Sequence, residues 1–399
     1  MLALAAATLG LSVPALAPRA RRVLSTTAPI PEGTAPPPEA GWFDGKLVGS
    51  CVVKRFNDEI HGDRWFMWYS GRPEGFREDA VPIATGCVGL AQSKDGIVWE
   101  RLAGDEPGGS CLAPNDESPW AFDTTHVGVG DVHLPERVQS KAGPYRMYYF
   151  GGDANEPPQG SPAPAGIVGT AMSIGVALSN DGVHWERVEG SYASGAVLEP
   201  KKGQLFVGWP QVIMTSVEPE ASGAWRMYYH ALNIETMRFE IGLATSDDGM
   251  VWEHAEESAL TPGRDGAFDS GSVSARCVVR EPAASGGGGS DHGGWLMFYE
   301  AQDAARRHTI GLARSSDGVS WVRGDAPVFE PSDVSGAWDG TAVSRPWVVP
   351  LEDGSAMLYY LGRGEAPADG SAPSQGIGVA RSDGTDWTKW VRVCSAATL

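Results

Sequence analysis

The chain has 399 residues, 42% of them apolar and 20% charged, which is enough to bury a sizeable core and too few charges for a disordered chain. A formal net charge of −19 excludes a general nucleic-acid binder and a binder of anionic membranes, since both need a basic footprint. The 52 glycines and 29 prolines point to many turns.

Residues 1–40 carry no acid before Glu32. Leu2–Ala17 is apolar and ends in the small-x-small pattern Ala15-Leu16-Ala17, and Arg19, Arg21, Arg22 and Ser25-Thr26-Thr27 follow. The first half reads as a signal-peptide core and the second as a transit peptide. This order resembles the bipartite presequences of algal plastid proteins and implies a plastid (chloroplast) location, with secretion as the alternative. The Pro-rich stretch 31–38 reads as a linker, so the expected division is a presequence and linker over 1–40 and one domain over 41–399. The five cysteines, Cys51, Cys87, Cys111, Cys277 and Cys394, have no zinc or disulfide spacing and read as free, buried thiols. No cofactor and no metal are expected. No apolar run reaches the roughly 18 residues of a membrane span.

From residue 42 onward one pattern recurs five times. Val88–Arg101 reads VGLAQSKDGIVWER, Ile174–Arg187 IGVALSNDGVHWER, Ile241–His254 IGLATSDDGMVWEH, Ile310–Arg323 IGLARSSDGVSWVR, and Ile377–Trp387 IGVARSDGTDW. The first half alternates as a half-buried strand does, Asp-Gly marks a hairpin, and Trp anchors the outgoing strand. A short aromatic strand precedes each copy: WFMWYSG, YRMYYFGG, WRMYYHA, WLMFYEA and AMLYYLG. An Asp-led strand precedes that in four of five: WFDGKLVGSCVV, AFDTTHVGVGDVHL, AFDSGSVSARCVV and AWDGTAVSRPWVV, with LFVGWPQVI in the third repeat. Four strands repeated five times predict an all-β, five-bladed β-propeller with four antiparallel strands per blade. The run Ser285–Ser290 (SGGGGS) reads as a flexible loop.

These motifs resemble the five-bladed propellers related to glycoside hydrolase families 43 and 32, the arabinanase, levansucrase and invertase superfamily, and within it plant and algal plastid members. The resemblance covers about residues 41–393 and implies a glycoside hydrolase. The S-x-D-G-x-x-W turn also approaches the sialidase Asp-box, but five repeats argue against that class, which usually has six blades.

A polar residue present in every repeat serves geometry, whereas a singular one on a channel strand needs another explanation. Asp95, Asp181, Asp248, Asp317 and Asp383 are therefore turn residues. Asp44, Asp123, Asp269 and Asp339 recur as caps, although the resemblance places a base near Asp44. Aligning the first strands on Val-Gly gives the register Ser50, Asp131, Trp209, Ala275 and Arg345, at which the resemblance implies catalytic carboxylates in the first three blades. Here only Asp131 is one. The residue after each aromatic strand gives Ser70, Phe150, His230, Glu300 and Leu361. An acid at Glu300 would be desolvated, with a raised pKa suited to a general acid.

The expected catalytic residues are Asp131 and Glu300, with Asp44 as a third candidate. His126, His230, Trp209, Arg276 and Arg345 are expected to bind substrate. Hydrolysis needs one protonated and one ionised carboxylate flanking the scissile bond. The alternative is a propeller that has lost catalysis and binds a carbohydrate or a protein in the plastid. A monomer with a carbohydrate ligand is expected, and neither nucleic acid nor membrane is.

Overall fold

The computed structural model describes residues 41–393 apart from 59–61, 135–136, 139–140, 143, 158–160, 162, 216–223, 283–293 and 367–372. The presequence, the 285–290 run and Cys394 lie outside the described residues. The architecture is all-β, with four-stranded antiparallel sheets consistent with a propeller and no α-helix among the described residues. The first strands are Leu47–Asp58, His126–His133, Gln204–Met214, Ser272–Arg280 and Ala342–Pro350. The second strands are Gly62–Arg72, Tyr145–Gly152, Trp225–Asn233, Trp295–Gln302 and Ala356–Arg363. The third and fourth strands of each repeat continue the same antiparallel order, and one parallel pair, His308 with Ala342, links the fourth repeat to the fifth. A minor hairpin pairs Arg137–Val138 with Lys141–Ala142.

The Asp-Gly turns form as their chemistry requires. Asp181 Oδ1 accepts the N–H groups of Val183 and His184, and Ser179 Oγ accepts the N–H of Gly182. The same bonds recur at Asp95, Asp248 and Asp317. Gly182 has φ +78°, and a Cβ there would stand 3.1 Å from the ring of Trp68.

That contact belongs to the joint between repeats. The second-strand aromatic of one repeat donates to the turn-glycine carbonyl of the next: Trp68 to Gly182, Tyr148 to Gly249, Tyr228 to Gly318, and Tyr359 of the fifth repeat to Gly96 of the first. Its ring meets the next repeat's Trp edge-on: Trp68 with Trp185, Tyr148 with Trp252, Tyr228 with Trp321, Tyr359 with Trp99. Phe298 cannot donate, but its ring meets Trp390 in the same way at 5.7 Å. The repeat tryptophan of the fifth repeat is thus Trp390. Trp387, expected from its distance to Asp-Gly, instead donates to Gly354 O. The fifth turn is built differently, and its fourth strand, Asp386–Arg392, is correspondingly longer.

Within each repeat a second tie holds the sheet to the segment before it. Asp44 accepts from the Tyr69 hydroxyl and the Arg101 guanidinium, both at 2.8 Å. Asp123 does so from Tyr149 and Arg187, Asp269 from Tyr299 and Arg323, and Asp339 from Tyr360 and Arg392. The third repeat has Gly203 where these aspartates stand, four residues before the first-strand valine, and His254 replaces the arginine. Tyr229 then donates to His254 Nδ1, and His254 Nε2 donates to Glu199 O.

Candidate functional site at the ends of the first strands

Cross-strand pairing decides which residues share a level. Val48, Val127, Val207, Val273 and Val343 face Gly71, Gly151, Ala231, Ala301 and Gly362. Four places on stand Val52, Asp131, Gln211, Cys277 and Trp347, facing Trp68, Tyr148, Tyr228, Phe298 and Tyr359. Asp131 therefore does not share a level with Ser50, Trp209, Ala275 and Arg345, contrary to the Val-Gly alignment. Their counterpart is Val129. The second repeat carries Val-Gly twice, at 127–128 and 129–130, and the alignment falls on the later copy. At the corrected level no repeat carries a carboxylate.

Toward the C-terminal ends, all five first strands line one cavity of about 440 Å³, with Lys54, Asp131, Gln211, Cys277 and Trp347 on its walls. Asp131 is saturated there. Its Oδ1 accepts from Lys54 Nζ at 3.0 Å and from Val132 N–H at 2.7 Å. Its Oδ2 accepts from Val212 N–H at 3.1 Å and lies 3.5 Å from His133 Nε2. Burial raises the pKa of this carboxyl, but the charges and bonds of Lys54 and His133 outweigh it and hold it far below the usual carboxylate range. It ties the first, second and third repeats together and has no proton to give.

The other expected residues separate into two groups. Asp44 is fully buried in the Tyr69–Arg101 tie and does not line the cavity that holds Asp131. Burial is the main influence on its pKa, which is raised despite Arg101. His126 is also fully buried. Its Nδ1 accepts from the Thr85 hydroxyl at 3.1 Å and its Nε2 donates to Gly169 O at 2.9 Å. It fastens the 80–86 loop to the second repeat and leaves nothing for a ligand. The same loop lies on Gly49, whose missing side chain makes room for the Ala84 carbonyl.

Trp209, His230, Glu300 and Arg345 come together at the level toward the N-terminal ends, with Arg276 one place further along the fourth repeat's first strand and within electrostatic reach of His230. Trp209 and Arg345 occupy the same bulge in the third and fifth repeats, each before a proline, with φ of +47° and +50°. Non-glycine residues reach this region only under constraint, and such strain concentrates at functional positions. Trp209 is expected from its sequence position to stack on a sugar, but its ring is 6% exposed, 4.1 Å from Phe150 and 4.4 Å from His230, with the Arg345 guanidinium 4.8 Å away. Its indole N–H goes to Ser50 Oγ. It is a packed wall, and Ser50 is its acceptor.

Glu300 is the carboxylate of this cluster. His308, which no sequence motif singles out, bonds it through Nδ1 at 2.8 Å. Burial pushes the Glu300 carboxyl up, but the His308 bond and the charges of His308 and Arg345 prevail, and its pKa falls below the ordinary value. Burial opposes protonation of His308, yet Glu300 raises its pKa. The expectation of a raised Glu300 pKa is thereby reversed: His308 favours the ionised carboxylate, and Glu300 favours the protonated imidazole. The signal in the sequence is that His308 stands alone among the residues that open the third strands, two places before the recurring Ile-Gly. His230 is held neutral by burial and by the charges of Arg276 and Arg345.

No known protein-family pattern matches this chain. It is 25% identical over 306 residues to a Mycobacterium tuberculosis protein named "Uncharacterized protein MT1551", covering 75% of this chain and 84% of that protein. Among solved structures it resembles a glycosyl hydrolase from Bacteroides ovatus, with TM-score 0.58, 18% identity and 86% of each chain. It also resembles an N-acetylgalactosamine deacetylase from F. plautii, with TM-score 0.58, 15% identity, and coverage of 88% and 94%. A thermostable family-43 glycoside hydrolase matches with TM-score 0.55, 13% identity, and coverage of 88% and 93%. At these identities the likeness is one of fold.

Proposed function

We propose that this chain is a five-bladed propeller that binds a carbohydrate at the mouth formed by His230, Arg276, Glu300, His308 and Arg345. The observation that carries the reading is a set of buried nitrogen donors and acceptors around one ionised carboxylate, several of them with no partner among the described residues. Such a group of fixed polar atoms is what orients a sugar. The fold of the glycoside hydrolases it resembles is consistent with this but hosts many functions. The five-blade closure is supported by the bond from Tyr359 back to Gly96.

A second reading, hydrolysis, is favoured by the Glu300–His308 pair beside Arg345. In that case Glu300 is the base, since it is held ionised, and the acid is a group other than Asp131 or Asp44. A glycan array on the full chain tests binding, and turnover of aryl glycosides tests cleavage. Binding without turnover supports the binding propeller. Turnover lost in Glu300→Gln and kept in Asp131→Asn supports the hydrolase. No glycan bound and no glycoside cleaved would overturn both.

The location is proposed to be the plastid, from the order of apolar core and basic, hydroxylated stretch in residues 1–40. Fusion of these residues to a fluorescent reporter in an algal cell tests it. Signal confined to the medium would make the leader a secretory one.

A further inference from the structure

A buried guanidinium normally spends its five N–H groups on hydrogen bonds, because leaving them unmade in a low dielectric is strongly unfavourable. Arg276 does not: it is 4% exposed, and its Nε and Nη1 have no partner among the described residues. Asp131 lies within electrostatic reach but does not bond Arg276 Nε or Nη1, and its oxygens accept from Lys54, Val132 and Val212 instead. Arg345 Nη1 and His230 Nδ1 are likewise buried and unbonded among the described residues. The Trp209 ring lies 4.8 Å from the Arg345 guanidinium and 4.4 Å from the His230 ring, and Arg276 follows the corresponding first-strand bulge of the fourth repeat, so groups from the third, fourth and fifth repeats converge. Glu300 stands beside Arg345, but His308 at 2.8 Å offsets its charge.

We propose that Arg276 and Arg345 form an oxyanion pocket, with His230 Nδ1 as a third polar contact, that takes the carboxylate or phosphate group of an acidic sugar. This rests on the sugar-site reading above and adds the chemical class of the ligand. Two guanidinium forks match an oxyanion in both geometry and charge. The chain as a whole is acidic, so long-range steering would repel such a ligand. The affinity has to come from the direct contacts.

The test uses the full chain with D-galacturonate, D-galactose and inorganic phosphate at matched ionic strength, read by calorimetric titration and by thermal shift. Galacturonate is expected to bind about tenfold or more tightly than galactose, and Arg276→Gln or Arg345→Gln to remove most of that difference. The wild-type comparison needs no variant, so a misfolded substitution does not blunt the test. Equal binding of galactose and galacturonate would overturn the oxyanion pocket and leave the sugar site standing. Arg-dependent phosphate binding with no sugar bound would uphold the pocket, identify free phosphate as its ligand, and overturn the sugar-site reading. If none of the three ligands raises the melting temperature or gives heat, both readings fall.

Discussion

At the scale of single residues, the decisive quantity is whether a buried polar atom has a partner. His126 has two, and the one its Nδ1 accepts from the Thr85 hydroxyl requires the neutral ring. Burial lowers its pKa to about 4. The unfolded chain binds a proton near pH 6.5 and the folded one does not, so stability falls as pH drops from about 6.5 toward 4. The loss is on the order of 3 kcal/mol at the low end. Urea midpoints at pH 7 and pH 4.5 should show it, and His126→Asn should reduce that pH dependence, the remainder coming from His230 and His254, whose pKa values burial also lowers. An unchanged midpoint in the wild type would contradict this account. The Glu300–His308 pair has the opposite sign at its upper edge. The raised His308 pKa means its contribution is complete at and below about pH 6.5 and is lost as pH rises through the folded value. Glu300, being lowered, releases the pair only as pH falls through its own depressed value. In an NMR titration His308 should take up its proton above the ordinary histidine value, and Glu300→Gln should bring it down. An identical titration in both proteins would show that the pair is not ionic.

At the scale of elements, each repeat is held by one internal tie and one joint. The third repeat shows that the internal tie varies as a unit: without its aspartate, the arginine is replaced by a histidine that bonds Tyr229 and a carbonyl. Restoring the commoner residue alone is therefore harmful. His254→Arg places a half-buried guanidinium opposite Gly203, where the other repeats have the aspartate that receives it. A loss of about 1–3 kcal/mol in chemical denaturation is expected. Stabilisation by this change would mean that the tie is not a coupled set. The joint has a smaller, separable contribution. Tyr148→Phe keeps the ring against Trp252 and removes the bond to Gly249 O and the one accepted from Arg146 Nη1, leaving a buried carbonyl unmet, at a cost of about 1–2 kcal/mol. Phe298 is the natural counterpart of that variant, so the fold tolerates the loss.

At the scale of the whole molecule, each repeat hides its aromatic face only against the next, and the fifth reaches the first through Tyr359, Gln375 and Trp347. An array of this kind exposes two apolar faces when one member is removed. Deleting residues 331–399 should abolish the cooperative thermal transition. A truncated chain that still melts cooperatively within a few degrees of the full one would mean that the repeats are independent sheets. Four of the five cysteines are buried free thiols, so no disulfide among the described residues relieves the array of this dependence.

The repeats, their strand order, the Asp-Gly turns and the division between recurrent and singular polar residues were legible in the sequence. They rest on local chemistry that reports itself every 66–86 residues. Glu300, Arg276, Arg345 and His230 stand out in the sequence by their singularity. What the chain could not reveal by itself was register and partnership. A doubled Val-Gly displaces Asp131 by two places. A bulge in each first strand changes which side chains share a level, and only cross-strand pairing resolves that. Whether a carboxyl is raised or lowered depends on which cation stands beside it. His308 is eight residues from Glu300 in the chain and reaches it only across two paired strands. Lys54 lies 77 residues from Asp131 and meets it only where two repeats abut. Charge partners are set by distance in space, and spacing along the chain carries that information only when a motif repeats.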